Sequence, residues 1–189
     1  MVQTQTRFAD TLADHPFLGR EFAELPTPAP LVDLDALDAN IAAMAEFFRP
    51  LPARLRPHAK THRAPAVARR QIAAGAHGIT CAKVGMAEAM ADGGIDDLFV
   101  ANQIVAPQAI DRLCHLATRA TITVAVDDAR NVAALSAAAR THRVNLNVVI
   151  EVDAGMGRCG VQPGRPALDL VRVILAAEGL TFTGLHAYE

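Results

Sequence analysis

Thr121-Ile122-Thr123-Val124-Ala125-Val126-Asp127-Asp128 is followed, after a helix-like interval, by Asn147-Val148-Val149-Ile150-Glu151-Val152. The two apolar runs read as strands and the interval 128–140 as a helix, with Asp127 or Asp128 capping its start. Val148-Val149-Ile150 is continuously apolar, the pattern of a parallel strand buried on both faces. A strand, a helix and a second strand in this order form a βα repeat, which implies a parallel sheet.

Working outward, the same unit recurs along the chain. The expected strands are Arg54–His58, Gly78–Ala82, Asp97–Ala101, Thr121–Val126, Asn147–Val152 and Thr181–Ala187. The expected helices span 64–74, 84–92, 107–118, 128–140 and 166–178. Pro65 and Pro107 stand near first turns, and Gly75, Gly93-Gly94 and Gly179 stand at helix ends. Leu31-Val32-Asp33-Leu34 reads as a short strand ahead of a helix from about Asp35 to Phe48. In that helix Leu34, Leu37, Ile41, Met44 and Phe48 make one apolar face, Asp33 or Asp35 caps the start, and Pro50 and Pro52 stop it. Residues 1–26 read as an arm, and 27–189 as the barrel region.

A parallel sheet is either doubly wound or closed into a barrel. No Gly-x-Gly-x-x-Gly follows the first strand, so the dinucleotide fingerprint of the wound fold is missing and a (β/α)8 barrel is expected. Six strands are short of eight, and the sixth runs into Ala187-Tyr188-Glu189 with no helix after it. The expectation is therefore an incomplete barrel of about six βα units belonging to a longer protein.

Composition narrows the function. The 189 residues carry a formal net charge of −2 with 51% hydrophobic and 20% charged residues, which excludes disorder and disfavours a dedicated nucleic-acid binder. No run approaches the roughly 18 apolar residues of a membrane span, and no leader-like segment opens the chain. Cys81, Cys114 and Cys159 are widely spaced and suit reduced thiols, so a cytoplasmic location is expected. Of the 18 Lys and Arg residues only Lys60 and Lys83 are lysine. In so arginine-rich a chain, a retained lysine points to chemistry that arginine cannot perform, such as imine formation.

Both lysines fall at strand C-terminal ends, where barrels carry their chemistry. Lys60 lies in His58-Ala59-Lys60-Thr61-His62-Arg63. Alternation sets His58 and Lys60 on one face, where partial desolvation and positive neighbours would lower the amine pKa. His58 and His62 have a helical ligand spacing, but they sit at a strand end and turn without a nearby third ligand, so no metal is assigned to them. The second constellation is Glu151-Val152-Asp153-Ala154-Gly155-Met156-Gly157-Arg158-Cys159-Gly160-Val161. Its glycines allow close backbone approach to a ligand. Arg158 suits an anionic oxygen or an ion pair with Glu151 or Asp153, and Cys159 reads as packing. At the sixth strand's end, His186 and Tyr188 share a face.

Taken in order, these segments resemble one family from Leu25 to Glu189. It is the D-threonine aldolase and D-serine dehydratase-like group of pyridoxal-phosphate (PLP) enzymes, fold type III, with a barrel of the alanine racemase N-terminal type. The matching stretches are Thr27-Pro28-Ala29-Pro30-Leu31-Val32-Asp33-Leu34-Asp35, Arg56-Pro57-His58-Ala59-Lys60-Thr61-His62 and Gly78-Ile79-Thr80-Cys81. Ala101-Asn102-Gln103, Val124-Ala125-Val126-Asp127, Glu151-Val152-Asp153 with Gly157-Arg158-Cys159-Gly160-Val161, and Gly184-Leu185 with Ala187-Tyr188 follow. The stretch around Lys60 is the specific one, and Arg63 stands where the family commonly has lysine.

The resemblance implies a Schiff base between Lys60 and pyridoxal 5'-phosphate, Arg158 near the ring's phenolic oxygen and Tyr188 close to the cofactor. His58 is a further candidate cofactor contact. It implies cleavage of D-β-hydroxy amino acids such as D-threonine, with D-serine dehydration, racemisation or non-catalytic PLP binding as the alternatives. A divalent metal (Mn, Mg or Zn), the phosphate loop and a C-terminal β domain are expected downstream of Tyr188, so no metal ligand is assigned in this chain. The 189 residues alone are expected to turn over little substrate. A homodimer is the assembly expected of the longer form, with no nucleic-acid or membrane partner.

Overall fold

The computed structural model describes residues 16–189. The chain divides into two compact units, Met1–Asn40 and Ile41–Glu189. Helix α1, Leu34–Phe48, begins in the first and ends in the second. Its N-terminus is capped by Asp33, whose Oδ1 accepts from Ala36 N at 2.9 Å. The expected strand at 31–34 is absent, because the helix already starts at Leu34 and claims Asp33 as its cap.

The second unit alternates strand and helix. It contains α2 (Pro65–Ala73), β1 (Ile79–Cys81), α3 (Val84–Asp92), β2 (Asp97–Gln103), α4 (Pro107–Leu116), β3 (Thr121–Val126), α5 (Ala129–His142), β4 (Leu146–Val152), α6 (Arg165–Leu175) and β5 (Leu180–Ala187). Asp128 caps α5, its carboxylate accepting from Arg130 N at 2.7 Å. Among the described residues no helix is long and apolar enough to cross a membrane.

All strand pairs are parallel, and the spatial order is β1-β2-β3-β4-β5. A doubly wound sheet reverses direction at a switch point, whereas here each strand is laid beside the last on the same side. That is the winding of a barrel, and the sheet is an open, incomplete one.

The expected strand at Arg54–His58 shrinks to a single bridge between His58 and Thr80. Its backbone still runs along β1, since His77 N donates to Leu55 O and Thr80 N donates to Pro57 O, both at 2.8 Å. Pro57 has no N–H to return, so the ladder is interrupted where it would have formed.

The face of the sheet toward the helices is the core. Ile79, Cys81, Leu98, Val100, Val124, Val126, Leu146, Val148 and Ile150 are fully buried there with Leu113, Leu135 and Ile174 from the helices. The other face is only partly covered, so Phe99 and Val149 are half-buried and the expected burial of these strands on both faces is not met. A cavity of about 420 Å³ lies against this face, lined among others by Phe99, Thr123, Asn147 and Val149. In β5 the burial alternates residue by residue, as on a strand with one face packed.

Candidate active site

Parallel strands end together, and the chemistry-bearing residues gather where they do. Lys60 follows the bridge of His58 with Thr80. Ala59 takes the buried position, with its N–H on Thr80 O at 2.8 Å. The chain then turns, and Lys60 N donates to His58 Nδ1 at 3.2 Å while Arg63 Nε donates to Lys60 O at 3.3 Å. The amine is exposed rather than partly desolvated, because the turn lifts residue 60 clear of the sheet. No ion pair engages it among the described residues.

His58 is held below the ordinary imidazole pKa, by burial first and then by the Lys60 charge. The ring beside the amine is therefore neutral near pH 7. Lys83, the other lysine, is exposed at the N-cap position of α3.

At the end of β4 stands Glu151, only 3% exposed. Gln103 Nε2, from the end of β2, donates to its Oε2 at 2.9 Å, and the Cys159 thiol donates to its Oε1 at 3.1 Å. His186 Nδ1, from β5, lies 3.5 Å from Oε2, and its ring stands edge-on to Phe99 with centroids 5.1 Å apart. The bond to Glu151 is the main reason that the Cys159 thiol is pushed above its ordinary pKa, which keeps the proton on sulfur. Cys159 is thus a hydrogen-bonding group as well as a packing one.

The loop after β4 folds back on its own strand. Asp153 Oδ1 accepts from Gly155 N at 3.1 Å and Gly157 N at 2.9 Å, which holds its carboxyl below the usual range. Val161 N donates to Glu151 O, and Asp153 N to Val161 O, both at 2.9 Å. Gly160 N donates to Asp127 Oδ2 at 2.9 Å, tying the loop to the end of β3. A Cβ on Gly160 would lie 2.7 Å from Asp153 N and 2.9 Å from Val152 C, and its φ is +102°. Gly160 therefore permits close approach of the loop to its own strand, a structural use of a glycine expected to face a ligand.

Arg158 makes no ion pair with Glu151 or Asp153. Its guanidinium carbon lies 5.3 Å from the centroid of the Tyr188 ring, a cation–π arrangement, and the Cys159 side chain beside it engages it as well. Of the four expected site residues, the structure pairs Lys60 with His58 and Arg158 with Tyr188. Glu151 is the member whose importance the sequence understates. The signal was there, a carboxylate at the C-terminal end of an otherwise apolar strand.

The family model for the alanine racemase N-terminal domain matches residues 32–188. The chain belongs to this family. It is 42% identical over 173 residues to a 3-hydroxy-D-aspartate aldolase of Paracoccus denitrificans, covering 90% of this chain and 45% of that one. To a D-threonine aldolase of an Arthrobacter species it is 39% identical over 170 residues, covering 90% and 45%. The crystal structure of a D-threonine aldolase from Filomicrobium marinum superposes with a TM-score of 0.84 at 43% identity, covering 87% of this chain and 44% of that one. The chain thus spans just under half the length of the relatives it matches. The barrel of alanine racemase N-terminal type is accordingly the fold, and the resemblance read from the motifs holds over nearly the same span.

Proposed function

We propose that this chain is the lysine-bearing part of a PLP-dependent lyase that cleaves D-β-hydroxy amino acids such as D-threonine. The observation that carries the proposal is Lys60: an exposed primary amine with no ion pair among the described residues, at a strand's C-terminal end, beside a neutral imidazole. Relatives at 42% and 39% identity that are named as aldolases of D-amino acids support the substrate class.

The donor set fits the cofactor. Lys60 would hold its aldehyde carbon, and Arg158, kept over Tyr188 instead of paired to a carboxylate, would donate to its phenolic oxygen. When bound, PLP supplies an electron sink for the pair released at the substrate's Cα. The chain's own residues supply placement. His58 accepts a backbone N–H within the Lys60 turn, and Gln103 and Cys159 fix the Glu151 carboxylate at the end of β4, with His186 beside it. A metal of the kind expected from the resemblance would take its ligands outside these residues.

Absorption spectra of the 189-residue chain titrated with PLP test the binding half of the proposal. A visible band that Lys60→Ala abolishes and Lys83→Ala retains is the expected result. Turnover is tested in the longer polypeptide expected from the strand count, by release of glycine and acetaldehyde from D-threonine. Loss of that release in Lys60→Ala is expected; unchanged release in this variant would overturn the proposal.

A further inference from the structure

We infer that Asp111, His115 and His142 form a site for a divalent cation of the zinc class, clipping α4 to α5 on the outside of the barrel. Asp111 and His115 are four residues apart on α4, so they lie side by side one turn apart. His142 sits in the last turn of α5. Its Nε2 is 2.7 Å from Asp111 Oδ1, and its ring meets that of His115 edge-on with centroids 5.4 Å apart. One ligand atom from each of the three residues lies within 4.8 Å of the other two.

Zinc binds nitrogen and carboxylate oxygen at about 2.0–2.2 Å, so ligand atoms on one ion lie up to about 4 Å apart. Asp111 and His115 are exposed and close the remaining gap by rotating their side chains, while the half-buried His142 stays as the fixed post. Two imidazoles and one carboxylate suit zinc or its transition-metal neighbours, whereas magnesium and calcium select all-oxygen sets. Both histidines stand in the last turns of their helices, where the carbonyl ends favour a cation.

The position separates this site from the one at Lys60. Helices α4 and α5 lead into β3 and β4, so their last turns lie where those strands begin, and Glu151 and its loop lie where strands end. A metal here acts on stability. It joins two consecutive βα units by a link between residues 31 positions apart. In the sequence only the four-residue spacing of Asp111 and His115 hints at it, and His142 joins them only through the packing of α5 on α4.

Isothermal titration of the PLP-free 189-residue chain with zinc chloride, after chelator treatment, tests the inference. The expected result is one zinc per chain, a rise in the thermal unfolding midpoint that EDTA reverses, and no such rise with magnesium. His115→Gln and Asp111→Asn, both at exposed positions, should match the wild-type midpoint in EDTA. Each should weaken zinc binding at least about tenfold, the loss typical of removing even an outer partner of a metal. Absence of zinc binding by the wild type overturns the inference. So does binding that both variants retain undiminished and that His58→Gln/His62→Gln removes.

Discussion

Glu151 and Lys60 follow the barrel core toward the same end of the strands, yet they are held in opposite ways. Glu151 is 3% exposed and fixed by Gln103 and Cys159 with His186 beside it, whereas Lys60 is exposed and its turn is held through its backbone by the His58 ring and the Arg63 guanidinium. The difference lies in what stands beneath them. Under Glu151 is a full parallel strand paired on both sides, with β3 and with β5. Under Lys60 is a segment with one bridge, whose ladder stops at Pro57. A buried polar group needs such a frame because each lost partner leaves it unsatisfied, while an amine that must meet an aldehyde is better left open.

The comparison breaks most visibly in stability measured by urea unfolding. Ile150 is fully buried beneath the Glu151 end of β4, so Ile150→Ala should cost about 2–5 kcal/mol, as large-to-small changes in a closed core do. A loss below about 1 kcal/mol would mean that this strand end is not the rigid part. Gly160→Ala should cost about 1–3 kcal/mol from its backbone strain alone, because a Cβ there meets the backbone of Asp153 and Val152. That variant should also release Arg158 from Tyr188, read as weaker PLP binding.

A smaller effect comes from pH. Burial is the main cause that holds both His58 and His62 below the ordinary value of 6.5. Both rings are neutral in the folded chain, so as pH falls below about 6.5 the unfolded chain takes up protons that the fold refuses. Stability should therefore be fully present above that pH and decline beneath it, and His62→Gln should flatten the decline. A slope of the opposite sign would contradict the burial of these rings. The smallest stability change is expected at Lys60 itself. Lys60→Ala should stay within about 0.5 kcal/mol of the wild type, since an exposed side chain with no ion pair among the described residues carries little of the fold.

Much of the architecture was legible because βα periodicity is local. The apolar runs at 98–100, 121–126 and 148–150, the proline starts and the glycine stops all place elements within a few residues of where they lie. Two strands were misread for local reasons: Asp33 serves as a helix cap, and Pro57 withholds a ladder donor. The Lys60 stretch could be read directly, since the amine and its imidazole neighbour are adjacent in the chain. Glu151 with Gln103 and His186, like Asp111 with His142, could not, because the partners come from elements far apart in sequence. Only the registers of the strands and the packing of the helices bring them together.

The most direct measurement is chemical. The chain is incubated with pyridoxal phosphate and reduced with borohydride, and the labelled peptide is mapped by mass spectrometry. A single adduct on Lys60 is the predicted result. An adduct on Lys83 instead, or none on a folded sample, would contradict the assignment of this strand end as the place where the cofactor is held.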